Sequence, residues 1–269
     1  MEKDTRNTII AVVAAAALFV TAYAGLLLYS GTNAPFYTVE SRSMSHSERS
    51  EIGIIDTGDM VIVRDPSKMN IVTYVEGHQT GYKKFGDHGD VILYKNPDGR
   101  TIIHRAVLYI ELNDDGITWN IPSLKGYGGE WYYNDIPGGE VDDATFGEMS
   151  GKLRFEDFGW AGKKFTADLD KLTSVPKGYI TMGDGRTNPD IDQNYSSISM
   201  NRIVSEDRII AVAAHEVPWL GCIKLYLTGN NTDQIPSNSV ISLVAVFVLM
   251  IASILIVCKT ATVIKSRRK

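Results

Sequence analysis

Thr101-Ile102-Ile103-His104-Arg105-Ala106-Val107-Leu108-Tyr109-Ile110-Glu111-Leu112 is the stretch whose reading decides the fold. It is rich in β-branched and aromatic residues and follows the turn signal Asn96-Pro97-Asp98-Gly99. That combination predicts a strand rather than a helix. In an extended chain Ile102, His104, Ala106 and Leu108 share one face, and Ile103, Arg105, Val107 and Tyr109 share the other. A histidine then projects among apolar side chains while an arginine points the opposite way.

Shorter runs of the same kind flank it. Met60-Val61-Ile62-Val63 follows Gly58-Asp59, and Val91-Ile92-Leu93-Tyr94 follows Gly89-Asp90. Tyr179-Ile180-Thr181-Met182 leads into Gly183-Asp184, and Arg208 to His215 is a further β-rich run. Short apolar runs bounded by Gly, Asp, Asn and Pro predict a mainly β domain of antiparallel sheet around one core. Two stretches read as additions: the polar segment 65–86, and an insertion over 113–175. The insertion carries an aromatic cluster at Trp131-Tyr132-Tyr133, expected to form a small satellite core, and a predicted helix near Thr166 to Leu172.

At either end lies a run without a charge, Thr8 to Tyr29 (22 residues) and Ser239 to Cys258 (20 residues). Each is long enough to cross a hydrocarbon core of about 30 Å at about 1.5 Å per residue. Ala22-Tyr23-Ala24 fits a small-x-small cleavage site, but Gly25-Leu26-Leu27-Leu28 continues the apolar run beyond it. The run is therefore expected to stay as an anchor. Beyond Cys258 the charges are Lys259, Lys265, Arg267, Arg268 and Lys269, with no acid among them, which places this tail in the cytoplasm. The expected organisation is a cytoplasmic N-terminus (1–7), a span (8–29), an extracytoplasmic domain (30–238), a second span (239–258) and a basic cytoplasmic tail (259–269).

Of the 27 basic and 32 acidic residues of the chain, seven basic and two acidic ones lie outside the 30–238 segment, leaving that segment near −10. Such a balance is a poor match for nucleic acid, whose binding relies on basic contacts to phosphate. The two cysteines, Cys222 and Cys258, are expected on opposite sides of a membrane and so out of disulfide reach. An ordinary apolar core must hold the domain.

Three groups could carry chemistry. Ser43 lies in a polar connector, Ser41-Arg42-Ser43-Met44, between the first span and the first strand. A serine there is ordinarily a solvated turn residue, and as a nucleophile it needs a neighbouring base. His104 is of the side-chain type best suited to accept a serine proton near neutral pH. His46 is its rival, in a serine-rich context that predicts solvation. Asp184, Asp190 and Asp192 lie in the loop Gly183 to Asn194, where acids commonly serve turn geometry. A carboxylate from this loop could instead fix the histidine tautomer. The EF-hand pattern is absent and three carboxylates are few for Ca²⁺, so neither metal nor cofactor is expected.

These segments resemble the boxes of the type I signal peptidases, in the archaeal and endoplasmic-reticulum branch that uses histidine in place of lysine. Ser41-Arg42-Ser43-Met44 resembles Ser-Gly-Ser-Met, Ile103-His104-Arg105 resembles Ile-His-Arg, and Thr181-Met182-Gly183-Asp184 resembles the start of Thr-Lys-Gly-Asp-Asn-Asn. The resemblance implies Ser43 as nucleophile and His104 as general base. It implies Asp190, six residues after Asp184, as the essential acid, with Asp184 in support. Ser41 and the Ser43 N–H would then stabilise the oxyanion. Arg42 departs from the family's glycine, Ser45-His46 from Glu-Pro and Gly185-Arg186 from Asn-Asn.

The implied activity is a membrane-bound serine endopeptidase that removes signal peptides, with exported precursors and membrane lipid as partners. Association with the translocation machinery also fits. Two other readings stay open: an inactive membrane-tethered binding subunit of the same fold, and a peptidase or transpeptidase for surface proteins. Asn194 and Asn230 head glycosylation sequons.

Overall fold

A computed structural model describes residues 3–267 apart from 174, without the side chains of 3–4 and 261–267. Glu2, Arg268 and Lys269 of the charge argument lie outside the described residues, and the Lys3, Asp4, Lys265 and Arg267 side chains outside the described side chains. In chain order the main strands are β1 (Phe36–Thr38), β2 (Met60–Arg64), β3 (Val91–Lys95), β4 (Thr101–Leu112), β5 (Trp131–Tyr133), β6 (Lys152–Phe158), β7 (Lys163–Asp168), β8 (Lys177–Met182) and β9 (Ile209–Val217). The α-helices are α1 (Lys3–Ser30), α2 (Tyr74–Thr80), α3 (Cys222–Thr228) and α4 (Ser237–Arg267).

The principal sheet runs β1-β2-β9-β3-β4-β8, and every neighbour is antiparallel. Its β3–β4 hairpin closes where Asn96 and Gly99 predict a turn. Gly99 N–H donates to the Asn96 carbonyl at 2.9 Å, and Arg100 N–H to Asn96 Oδ1 at 2.8 Å. This hairpin fixes the register in which Ile92 faces His104 and Val91 faces Arg105.

The alternation along β4 slips once. On β8, Thr181 stands opposite Ala106 but Ile180 opposite Leu108, so Val107 is the extra residue of a bulge. Ile102, Ala106 and Tyr109 then pack on one side, while Val107, Leu108 and Ile110 enter the larger core. The expected grouping of Leu108 with His104 is therefore wrong, because a one-residue bulge reverses the two faces beyond it.

The insertion contains a second antiparallel sheet, β7-β6-β5, extended by Ile136–Pro137. The helix expected near Thr166 to Leu172 is instead the end of β7 followed by a short 3₁₀ turn, Leu169–Lys171. Lys163, Phe165 and Ala167 point inward while Lys164, Thr166 and Asp168 do not, a period of two that only a strand satisfies. Nor is the aromatic cluster a satellite. Trp131, Phe155 and Phe165 share one core with Leu108, Ile180 and Met182 of the main sheet. Each such side chain contributes about 1.5–3 kcal/mol on burial. The 65–86 segment holds α2, which begins at a capping box between Thr73 and Glu76.

Thr5–Ser30 and Ser237–Thr260 are helices long and apolar enough to cross a membrane, and neither is buried against the protein. Ser30 joins the sheet directly, its carbonyl accepting from Asp65 N–H at 2.8 Å. Ile235 packs with Leu225 of α3 and with Val240 and Leu243 of the first turns of α4. The two apolar helices thus enter the β domain through fixed contacts.

Candidate functional site

Ser43 sits in a single 3₁₀ turn, Arg42–Met44, directly after Ser41 in extended conformation. Met44, fully buried, pins this turn into the core beside Val39 and Ile55. The Ser41 and Ser43 hydroxyl oxygens are 3.2 Å apart. Arg42 takes the ordinary right-handed backbone, since it is not among the residues of positive φ. Its side chain is directed away from the turn: Nε donates to the Gln234 carbonyl at 2.9 Å, and Nη1 meets Glu48 at 2.5 Å.

His104 is buried on β4, with Nδ1 2.7 and 2.8 Å from the two carboxylate oxygens of Asp192. Asp192 is fully buried and opens the 3₁₀ turn Asp192–Asn194. Three adjacent strands supply its partners. His104 comes from β4, the Tyr94 hydroxyl from β3 at 2.7 Å, and the Thr181 hydroxyl from β8 at 2.6 Å. A carboxylate only accepts, so these contacts place a proton on Nδ1, and in the neutral ring Nε2 is then the lone pair. Its burial and its bond to Asp192 push the Tyr94 phenol well above its ordinary range, so it stays a donor.

The acid that meets His104 is therefore Asp192, and the expectation for Asp190 is corrected. Asp190 instead precedes the turn, its Oδ1 accepting from Ile191 N–H at 2.8 Å and from Asn194 Nδ2 at 2.7 Å. Counting six residues from Asp184 stops two residues short, because the 3₁₀ turn begins only at Asp192, with Ile191 as its N-cap. Gln193 locks that turn to β8, its Oε1 accepting from Thr181 N–H at 3.2 Å.

Asp184 does not touch His104 either. It forms a bidentate pair with Arg105, Nε to Oδ1 at 2.8 Å and Nη2 to Oδ2, with both side chains buried. Arg105 Nη1 reaches back to the carbonyls of Gly89 (2.7 Å) and His88 (3.0 Å). Burial alone would raise the Asp184 pKa, but the Arg105 guanidinium outweighs it and holds the carboxyl down at about 2. His46, expected to be solvated, lies flat on Trp160 with ring centroids 4.3 Å apart and Nε2 3.6 Å from Asp184.

The loop from Gly183 crosses the Ser43 turn at close range. Gly185 N–H donates to the Ser43 carbonyl at 2.7 Å. A Cβ on Gly183 would lie 2.5 Å from the Ser43 carbonyl oxygen and 2.9 Å from His104 Nε2. Both separations are below contact distance, so glycine is required here for space, and Gly183 marks where serine turn and histidine ring converge. Gly183→Ala is expected to destabilise the protein by about 1–3 kcal/mol through overpacking. Thermal unfolding of full-length protein in detergent measures it, and an unchanged melting temperature would contradict this packing.

The insertion buttresses this loop. Lys163 Nζ donates to the carbonyls of Gly183 (2.5 Å) and Asn188 (2.9 Å), and Trp160 Nε1 to that of Asp184 (3.0 Å). Burial lowers the Lys163 pKa to about 8. Tyr94, Thr181, Lys163 and the spacing role of Gly183 were not foreseen from the sequence. One signal was available for Tyr94: it lies two residues from Ile92, the residue opposite His104, and so on the same face.

Ser41, Ser43 and His104 line one open cleft of about 1160 Å³. Two strand edges border it. β1 pairs on one side only, and β8 pairs with β4 no nearer its start than Arg105, leaving Thr101–His104 with a free edge. Among the described residues no hydrogen bond joins Ser43 to His104, though both line the cleft. No protein-family model matches this chain, and no curated protein matches it.

Proposed function

We propose that this chain is a membrane-anchored serine endopeptidase that removes N-terminal signal peptides from exported precursors. The observation that carries the chemistry is the shared cleft of Ser43 and His104, with the far nitrogen of the imidazole closed off by buried Asp192. His104 Nε2 takes the Ser43 proton as Oγ attacks the scissile carbonyl. The imidazolium formed is stabilised by Asp192 and returns the proton to the leaving amine. Water then repeats the sequence on the acyl-enzyme. The Ser43 N–H and Ser41 hydroxyl face the oxyanion, each donor worth about 3 kcal/mol in comparable sites. The substrate enters as an extended strand between the free edges of β1 and β4, a strand-addition mode.

The substrate class rests on the motif resemblance and on the two apolar helices, which would hold the cleft near a bilayer where precursors emerge. The test is cleavage of a signal-peptide precursor by full-length wild type, Ser43→Ala and His104→Ala in detergent. Wild type is expected to cut at the signal-peptide boundary, and both variants to lose about 10⁴-fold or more in kcat. Cleavage only of substrates bearing a surface-sorting motif would replace this substrate class with a mature-protein peptidase.

One observation favours a second reading, a non-catalytic subunit of the same fold. The Ser43 hydroxyl is bonded to Ser41 and not to His104. Resting sites often tighten such contacts only with substrate bound. Equal, zero cleavage by all three proteins would establish the subunit reading.

A further inference from the structure

A single apolar helix is enough to tether a domain, yet the entry to α4 is tied to the segment that carries Ser43. Arg42 Nε donates to the carbonyl of Gln234, three residues before α4. Asn238, the second residue of α4, makes a two-point amide clasp with buried Ser50: Ser50 N–H donates to Asn238 Oδ1 at 2.9 Å, and Asn238 Nδ2 to the Ser50 carbonyl at 2.8 Å. Trp219 Nε1 adds a bond to Ser50 Oγ at 2.9 Å. Segment 42–50 is thus fastened at both ends by the chain entering the second apolar helix. Ile235, buried against Leu225, Val240 and Leu243, keeps that entry from swinging.

We propose that α4 is a positioning element for Ser43, acting through Asn238 and Arg42, in addition to any anchoring role. This rests on Ser43 being the nucleophile. The clasp acts through the turn and touches no substrate. Releasing it leaves the turn held by Met44 and the Gly185 N–H alone, which lets Ser43 drift relative to His104, itself held independently by Asp192. A displacement near 1 Å at a reacting atom costs on the order of 10²-fold in rate. The departure at Arg42 then has a use, because a glycine there has no side chain to reach Gln234.

The experiment compares full-length wild type, Asn238→Ala, Arg42→Ala and the double variant in lipid nanodiscs. Two readouts are taken: precursor cleavage, with active enzyme counted by a fluorophosphonate serine probe, and amide hydrogen exchange over 41–50. Each single variant is expected to lose about 10- to 100-fold in kcat with KM little changed. Exchange over 41–50 is expected to rise while exchange over β3 and β4 does not. Asn238→Asp, which keeps the acceptor for Ser50 N–H, is expected to fall between. The double variant should lose less than the product of the single losses, since both ties hold one turn. Wild-type kcat in Asn238→Ala, or unchanged exchange over 41–50, overturns the proposal. If wild type itself fails to cleave, the peptidase reading falls, while exchange still decides the clasp because it needs no turnover.

Discussion

Asp192→Asn is expected to lower kcat by about 10³–10⁴-fold, whereas Asp190→Asn is expected to leave turnover near wild type. The amide can present its NH₂ to His104 Nδ1, which favours the tautomer with the proton on Nε2, where no proton can be accepted from serine. The charge that stabilises the imidazolium is lost as well. Tyr94 and Thr181 both donate to the carboxylate. An amide oxygen can keep those two bonds, so the fold should survive while chemistry fails. Asp190 only accepts from Ile191 N–H and Asn194 Nδ2, both at Oδ1, and an asparagine oxygen can accept both. Steady-state cleavage with active-site counting separates the two. Equal losses in both variants, or a larger loss at Asp190, would return the orienting role to Asp190.

The second large effect concerns stability. Asp184→Ala is expected to cost about 3–5 kcal/mol, because it leaves the Arg105 guanidinium buried without its counter-charge. Denaturant unfolding of full-length protein measures the loss, and a change under 1 kcal/mol would contradict it. The sign with pH follows from the lowered carboxyl. A group at about 2 when folded and about 3.9 when unfolded contributes fully above pH 4, and loses that contribution as pH falls toward 2. Wild type should therefore weaken over that window, and Asp184→Ala should lack this part of the acid dependence.

Much of the sheet was legible because its strands are bounded by residues with one physical use. Asn96 and Gly99 can close a tight turn, so the beginning of β4 could be read to the residue. The serine and histidine were legible from their boxes, and both line the cleft. The acid was not, because sequence spacing counts residues while burial depends on where a turn begins. The turn begins after Ile191, which is buried in the core, and so carries Asp192 rather than Asp190 to the histidine. The bulge at Val107 was hidden for a related reason: it is set by the pairing of β4 with β8, a partner far away in sequence. The insertion misled because Thr166 to Leu172 mixes charged and apolar residues in a way a helix tolerates. Its true period shows only over the longer window from Lys163, where inward Phe165 and Ala167 alternate with outward neighbours. His46 looked solvated because Trp160, its cover, comes from that same insertion.

The separation of the three candidate groups along the chain has a consequence for biogenesis. Asp192 lies 88 residues after His104, and the second sheet lies between them in the chain. A nascent chain presents the serine turn first, then an imidazole with no fixed tautomer, and only near its end the carboxylate and the Gly183 loop that bring them together. Contacts of such long sequence separation form late. The ribosome therefore finishes most of this molecule before the serine turn, the imidazole and the carboxylate can stand together.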